Sequence, residues 1–475
     1  MLFNSLSFLL FLPVVFAIYW MVNKRSLQWQ NILLLVSSYF FYACWDWRFL
    51  FLLIFSTALD YFTGLKMHDA SNEHNKKFWF WLSVGINLGF LGVFKYYNFF
   101  AESLAAALEK IGFHASFWTL EVILPVGISF YTFHGLSYVI DIYKNRITPE
   151  RNIVTYSLFV SYFPLLVAGP IERATHLLPQ IKKQRQFNYS QAIQGVKQII
   201  WGLFKKVVVA DNCAFFVNQI FENSATHSSS ELWLGMIFFS FQIYGDFSGY
   251  SDIALGTSKL FGIDLLRNFN FPYFSRDIAD FWRRWHISLS SWFRDYVYIP
   301  LGGSQGSKTK QLRNVFVIFL LSGFWHGANW TFIFWGLLHS LLFIPLLLSN
   351  KNRTSLADSS FSAKAYLKII TTFVVVSLAW IFFRADSLSA AFQYLSGMFD
   401  VSEWNPKYFY KNAKYALLTM ICLISIGLLI FIEWRNVTQH RNEVILNKYT
   451  VAFLVFLLFC MGTYRNQMSF IYFQF

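Results

Sequence analysis

From Thr331 to Ser349 the chain reads TFIFWGLLHSLLFIPLLLS, nineteen residues without an aspartate, glutamate, lysine or arginine. No other feature restricts the fold as much. Roughly 20 apolar helical residues cross the hydrocarbon of a bilayer, and a backbone placed there must satisfy its own N–H and C=O groups. Comparable runs recur near residues 3–22, 30–45, 48–64, 78–95, 231–245, 314–330, 366–384, 415–433 and 448–463. The 475 residues are 56% hydrophobic and only 13% charged, with a mean hydropathy of +0.42, a balance that ordinary soluble domains do not carry. The expectation is an all-α polytopic membrane protein. It forms a single transmembrane domain over residues 1–475, with about 11 transmembrane helices plus re-entrant and interfacial pieces.

The formal charge of +14 does not point to nucleic acid, because the basic residues sit in short loops between apolar runs. They set a topology instead, with attraction for anionic membrane lipid or for an anionic cytosolic ligand. Lys24 and Arg25, then Lys66, Lys76 and Lys77, then Lys144, Arg146 and Arg151 all fall on the cytoplasmic side if two crossings separate each group. The run 153–170 breaks this count, since Arg173, Lys182, Lys183 and Arg185 after it also call for the cytoplasm. Pro164 and Gly169-Pro170 give it a place to turn back, and a re-entrant backbone needs protein or a wet cavity to cover it. Residues 191–220 carry Lys197, Lys205, Lys206 and Asp211 among apolar positions and read as an amphipathic or tilted helix near the cytoplasmic face. Residues 264–313 read as a basic cytoplasmic block. Cys44, Cys213, Cys422 and Cys460 have no metal-like spacing and read as packing residues.

Polar residues inside apolar runs are the candidates for chemistry. His326 lies thirteen residues beyond Arg313, about 20 Å into the membrane if the stretch is helical. At that depth it is either functional or a neutral imidazole bonded to a neighbouring helix. His339, a further thirteen residues on, sits about 220° round an ideal helix and reads as structural. In FWRRWHISLSSWFRDYVYIPLGG, residues 281–303, Trp282, Trp285 and Trp292 alternate with Arg283, Arg284, His286 and Arg294. This is either a helix held at the headgroup level, or Arg283, Arg284 and His286 line the mouth of a cavity that takes an anionic, phosphate-bearing donor. In QIYGDFSGYSDIALG, residues 242–256, Asp246 and Asp252 either tie helices together or line a reaction chamber. His134, Glu172 and Arg173 complete the polar inventory. The chain has no P-loop, no zinc-protease helix motif and no nucleophile elbow.

Four stretches in order, LPVGISFYTFHGLSYVIDIY, DFSGYSDIALG, FWRRWHISLSSWFRDYVYIPLGG and SGFWHGANWTFIFWGLLH, resemble the membrane-bound O-acyltransferase family. Within it they resemble the bacterial branch concerned with alginate O-acetylation, with teichoic acid D-alanyl transfer as a cousin. The resemblance covers nearly the whole chain. It implies a ring of helices round a thinned centre with a tunnel joining the two faces, in a bacterial cytoplasmic (inner) membrane. It also implies that His326 is the catalytic histidine and His286 a second functional position. The donor implied is a cytoplasmic thioester, acyl-CoA or an acyl carrier protein, with no bound cofactor and no metal. The partner implied is an extracytoplasmic SGNH-hydrolase-like acyltransferase. The final residues FIYFQF, 470–475, resemble a short C-terminal motif whose tyrosine takes the acyl group, which makes Tyr472 a relay candidate. The plain alternative is an aromatic interface anchor.

The expected reaction is transfer of a short acyl group, acetyl above all, to a hydroxyl for an extracytoplasmic polysaccharide. His326 acts as general base, as an imidazole with a pKa near neutrality can. Asn329 orients the site or donates to the oxyanion. Arg283, Arg284, Trp325 and Asp246 contact substrate. A transporter or flippase for a glycan or acylated lipid is the rival; it would favour inverted repeats and paired broken helices, which the sequence does not carry. A scaffold that only recruits an enzyme is a third reading, in which both histidines are replaceable.

Overall fold

The computed structural model describes residues 1–22, 26–114, 124–167, 169–352, 362–400, 404–464 and 471. Lys24, Arg25 and Tyr472 lie outside the described residues. Among those described, every regular element is helical. Five helices are long and apolar enough to cross a membrane: Trp47–His68, Glu73–Glu109, Trp330–Leu348, Ala363–Arg384 and Ala413–Thr438. Shorter apolar helices run over Leu6–Val22, Ile153–Leu166 and Lys448–Met461. The protein is the all-α, multi-pass membrane protein that its apolar runs predict. The remaining runs lie on helices that are short or carry polar groups. Leu27–Ala43 buries Gln30, Asn31, Ser37 and Ser38, and Lys308–His326 opens on three basic residues. Such helices are satisfied by protein neighbours and do not need a uniformly apolar surface. Their starts follow ordinary capping chemistry: Ser26, Asp46, Asn72, Asn152, Ser307, Asn329 and Ser362 each accept a backbone N–H of the first turn.

The chain forms two compact units, one of residues 1–196 with 254–266 and one of residues 197–253 with 267–475. In the first, the broken run predicted at 153–170 is indeed interrupted. Ile153–Ser161 ends at Tyr162, whose backbone is non-helical, and Phe163–Leu166 adds a single turn with Pro164 near its start. The interruption is buried, as irregular backbone inside a membrane protein must be. The Phe163 N–H freed by the break donates to Ser38 Oγ at 3.0 Å.

The second unit holds the aromatic core, with Trp285, Trp335 and Trp380 fully buried. Lys308–His326 and Trp330–Leu348 form a tight helical hairpin. Gly323 and Gly336 make it possible. A Cβ on Gly323 would stand 2.3 Å from the Phe332 carbonyl oxygen, and one on Gly336 would stand 2.4 Å from that of Phe319; small residues let helices in lipid approach this closely. The turn at Gly327–Asn329 means that His326 and His339 lie on different helices, so the angle computed for one continuous helix does not apply.

Two sequence expectations are corrected here. The tryptophans of residues 281–303 are not a headgroup belt: Trp285 is 0% and Trp292 6% exposed. Of the charges that suggested an amphipathic or tilted helix over 191–220, Lys197 is half-buried on Tyr189–Leu203, whereas the other three do not face water. Lys205, Lys206 and Asp211 are buried, on a π-helical turn, Phe204–Ala210, and at the start of Asp211–Glu222. They are neutralised internally, as ion pairs described below.

Candidate active site

His326 is the last residue of its helix and is buried. Its Nδ1 lies 2.6 Å from the Ser322 carbonyl oxygen, one helical turn back. A carbonyl only accepts, so Nδ1 carries the proton and the lone pair resides on Nε2. The ring is thereby fixed in orientation and in tautomer by its own backbone. Around it stand Trp325 at 5.0 Å, Trp335 at 5.1 Å and Phe383 at 5.4 Å between ring centroids. Gly327 follows because the Phe332 ring occupies the place of a side chain there, with a Cβ only 2.1 Å from it.

His286 lies 6.4 Å from His326, centroid to centroid, close enough for one small group to touch both rings. It is fully buried, and neither ring nitrogen has a hydrogen-bond partner among the described residues. Buried polar atoms are seldom left so. Its backbone is in the left-handed region, φ 42° and ψ 55°, which costs a non-glycine residue about 1 to 3 kcal/mol and is concentrated at functional sites. The neighbouring chain imposes it: the Asn270 N–H bonds the Arg284 carbonyl at 3.0 Å, and the Ile287 N–H bonds that of Asn268 at 2.8 Å. Phe247, 4.7 Å away, and Trp325, 5.8 Å away, wall the imidazole. Trp325 thus touches both histidines.

The other sequence candidates fall into place around this pair or away from it. Arg284 Nε lies 2.9 Å from Asp280 Oδ1, and Arg283 donates to the Asn352 carbonyl at 2.8 Å with its second nitrogen 3.9 Å from Asp280. Both guanidiniums are therefore partly neutralised by one carboxylate. Asn329 caps Trp330–Leu348, accepting the Thr331 N–H and donating to the Asp386 carbonyl at 3.0 Å, so its side chain holds the turn after His326. His339 accepts the Trp282 indole N–H at 3.2 Å and packs 4.8 Å from Trp335.

Asp246 is buried against Lys206, whose Nζ lies 2.8 Å from it and 2.7 Å from Asp211. Its other oxygen accepts the Ile471 N–H at 2.6 Å. Lys205 pairs with Asp252 and lies 2.9 Å from Ser248 Oγ. In the first unit, Glu172 accepts the Leu266 N–H at 2.6 Å and pairs with His176 at 2.8 Å, while its own N–H donates to His134 Nε2 at 3.0 Å. The hydrogen bond to Glu172 raises the His176 pKa above its ordinary value. Sequence reasoning missed the Ser322 carbonyl, a backbone group with no signature, and Phe247. It saw Lys206 but not its burial.

Residues 144–385, which include His286 and His326, match the model of the membrane-bound O-acyltransferase family. The chain is 36% identical over 448 residues to a probable alginate O-acetylase of Pseudomonas syringae pv. tomato, covering 93% of this chain and 84% of that protein. It is 39% identical over 406 residues to a probable alginate O-acetylase of Azotobacter vinelandii, covering 85% and 79%. It is 38% identical over 427 residues to the peptidoglycan O-acetyltransferase of Helicobacter pylori, covering 84% and 80%. A pair of buried histidines, one with its tautomer set by the backbone, thus sits within the very stretch that carries the likeness, and the chain belongs to the membrane-bound O-acyltransferase family as a membrane-embedded O-acyltransferase.

Proposed function

We propose that the chain moves acetyl from a cytoplasmic thioester, acyl-CoA or acyl carrier protein, toward hydroxyls of an extracytoplasmic polysaccharide. Relatives named for alginate and peptidoglycan O-acetylation support this choice of acyl group and acceptor class. The observation that carries the mechanism is the Nδ1 contact of His326 with the Ser322 carbonyl, which leaves Nε2 as a base. Nε2 takes the proton of a hydroxyl as its oxygen attacks the thioester carbonyl. The tetrahedral intermediate collapses, the C–S bond breaks, and the imidazolium returns the proton to the departing thiolate. His286, with both ring nitrogens unbonded among the described residues, holds the acyl oxygen or the attacking hydroxyl. Arg283 and Arg284 meet the anionic part of the donor, Trp325 walls the acyl group, and Asn329 keeps the turn that presents His326. Tyr472 is the first acceptor, and an extracytoplasmic SGNH-hydrolase-like partner carries the acyl group onward from a bacterial cytoplasmic membrane.

The test is transfer of radiolabelled acetyl from a thioester by the purified chain in lipid nanodiscs. His326→Ala is expected to lower the rate by about 10²- to 10⁴-fold, the range contributed by a positioned acid-base group. Unchanged transfer in that variant defeats the mechanism. Glycan movement across proteoliposomes without any acyl transfer would establish the transporter reading instead.

A further inference from the structure

The π-helical turn Phe204–Ala210 grips the chain where it leaves its last helix. The Val207 carbonyl accepts the Thr463 N–H at 3.3 Å. Asn212 donates to the Met461 carbonyl at 2.9 Å and accepts the Thr463 hydroxyl at 3.2 Å. The same turn supplies Lys206, which joins Asp211 and Asp246, and Asp246 takes the Ile471 N–H. Ile471 is 1% exposed. Thr463 is thus bonded to this stretch directly, and Ile471 through Asp246 of Ser229–Leu260, which the same stretch holds by Lys206. Charge explains the second contact. One ammonium faces two carboxylates, so the buried Asp246 needs a further donor, and a backbone amide supplies it without adding a side chain. Single π-turns of this kind are common at functional sites.

We propose that the buried Asp211–Lys206–Asp246 triad is the seat of the C-terminal segment, and that Asp246 is a positioning residue that holds the residue after Ile471 for acyl transfer. The second half rests on the relay reading of Tyr472; the seat itself does not. Asp246 then acts through the backbone of Ile471 and touches no reacting atom.

The experiment uses the full chain in nanodiscs, trimmed with a carboxypeptidase and read by intact mass, beside an assay of labelled acetyl bound to the chain. The wild type is expected to retain Ile471. Ile471→Pro removes the N–H together with the buried isoleucine side chain and leaves the triad whole; it is expected to lose chain acylation about tenfold or more. Asp246→Leu, which keeps Ile471, should be trimmed past position 471 and lose chain acylation alike. Asp246→Asn, which keeps an acceptor oxygen for Ile471 but no charge for Lys206, should restore both readouts part of the way, a rescue that general destabilisation would not give. Equal protection of Ile471 in the wild type and in both Asp246 variants overturns the seat. Loss of protection with chain acylation at the wild-type rate overturns the positioning role. Tyr472→Phe separates the two readings: if it delivers acetyl to the final acceptor at full rate, the relay fails and the positioning role with it, while the trimming results still decide the seat.

Discussion

His326 was legible because an ionisable side chain deep in an apolar run is expensive and rarely accidental. Its proton was not legible. The tautomer depends on the Ser322 carbonyl 2.6 Å away, and no side chain announces a backbone acceptor. His286 was legible as a polar residue but not as a strained one, since the run FWRRWHIS reads as an amphipathic helix until Asn268 and Asn270 are seen to pin its flanks. The strain makes a prediction. Replacing His286 by alanine or by glycine leaves nearly the same void, but alanine keeps a Cβ in the left-handed region and glycine does not. The glycine variant is expected to be the more stable by about 1 kcal/mol, the reverse of the usual order. Both variants lose acyl transfer. Thermal unfolding of the two in the same detergent checks it, and an alanine variant equal to or above the glycine variant would show that the backbone at residue 286 is unstrained.

Helix positions were read well where apolar runs end in charged or capping residues, as at Ser362 and Arg384 of Ala363–Arg384. They were misread where charges are buried. The π-helical turn Phe204–Ala210 has no sequence signature, and Lys205 and Lys206 look like the wet side of an interfacial helix until their carboxylates on Ser229–Leu260 are in view. The hairpin that carries His326 depends on backbone contact at Gly323 and Gly336. Gly323→Ala is therefore expected to force its two helices apart, costing about 2 kcal/mol, and to lower acyl transfer more than tenfold by moving His326; a melting curve and the thioester assay read these together, and wild-type values in both would mean that the hairpin can open without harm. The short helix Ala174–Ile181 offers a pH test. Its His176 has a raised pKa through its hydrogen bond to Glu172. A group whose pKa is raised in the folded state stabilises fully below its unfolded value, near 6.5, and loses that contribution as pH rises through the folded value. Wild-type stability relative to His176→Gln is expected to fall on going from pH 6 to pH 8, and a flat difference across that range would show that the Glu172 contact does not govern it.

At the scale of the whole molecule the apolar content fixed the class of protein, but not how many helices are uniformly apolar. Leu6–Val22 shows its apolar side chains, as with Leu9 and Leu10, while Leu27–Ala43 and Ser229–Leu260 bury polar groups that a hydropathy count penalises. The same division bears on the acceptor. His326 is 2% and His286 0% exposed, and both are walled by Trp and Phe rings. A thioester arm or a single side chain is slender enough to enter such a place, whereas a hydrated polysaccharide would have to shed its water and bury hydroxyls without partners. On the proposed mechanism the acyl group then leaves the histidines on something small. With labelled acetyl thioester and polysaccharide but no partner, the purified chain is expected to label itself, at Tyr472, and to leave the polymer unlabelled. Adding an extracytoplasmic SGNH-hydrolase-like partner should move the label from chain to polymer, with a decline on one matching the rise on the other. Labelled polymer from the chain alone would show that the sugar reaches the histidines directly, and would remove the need for both relay and partner.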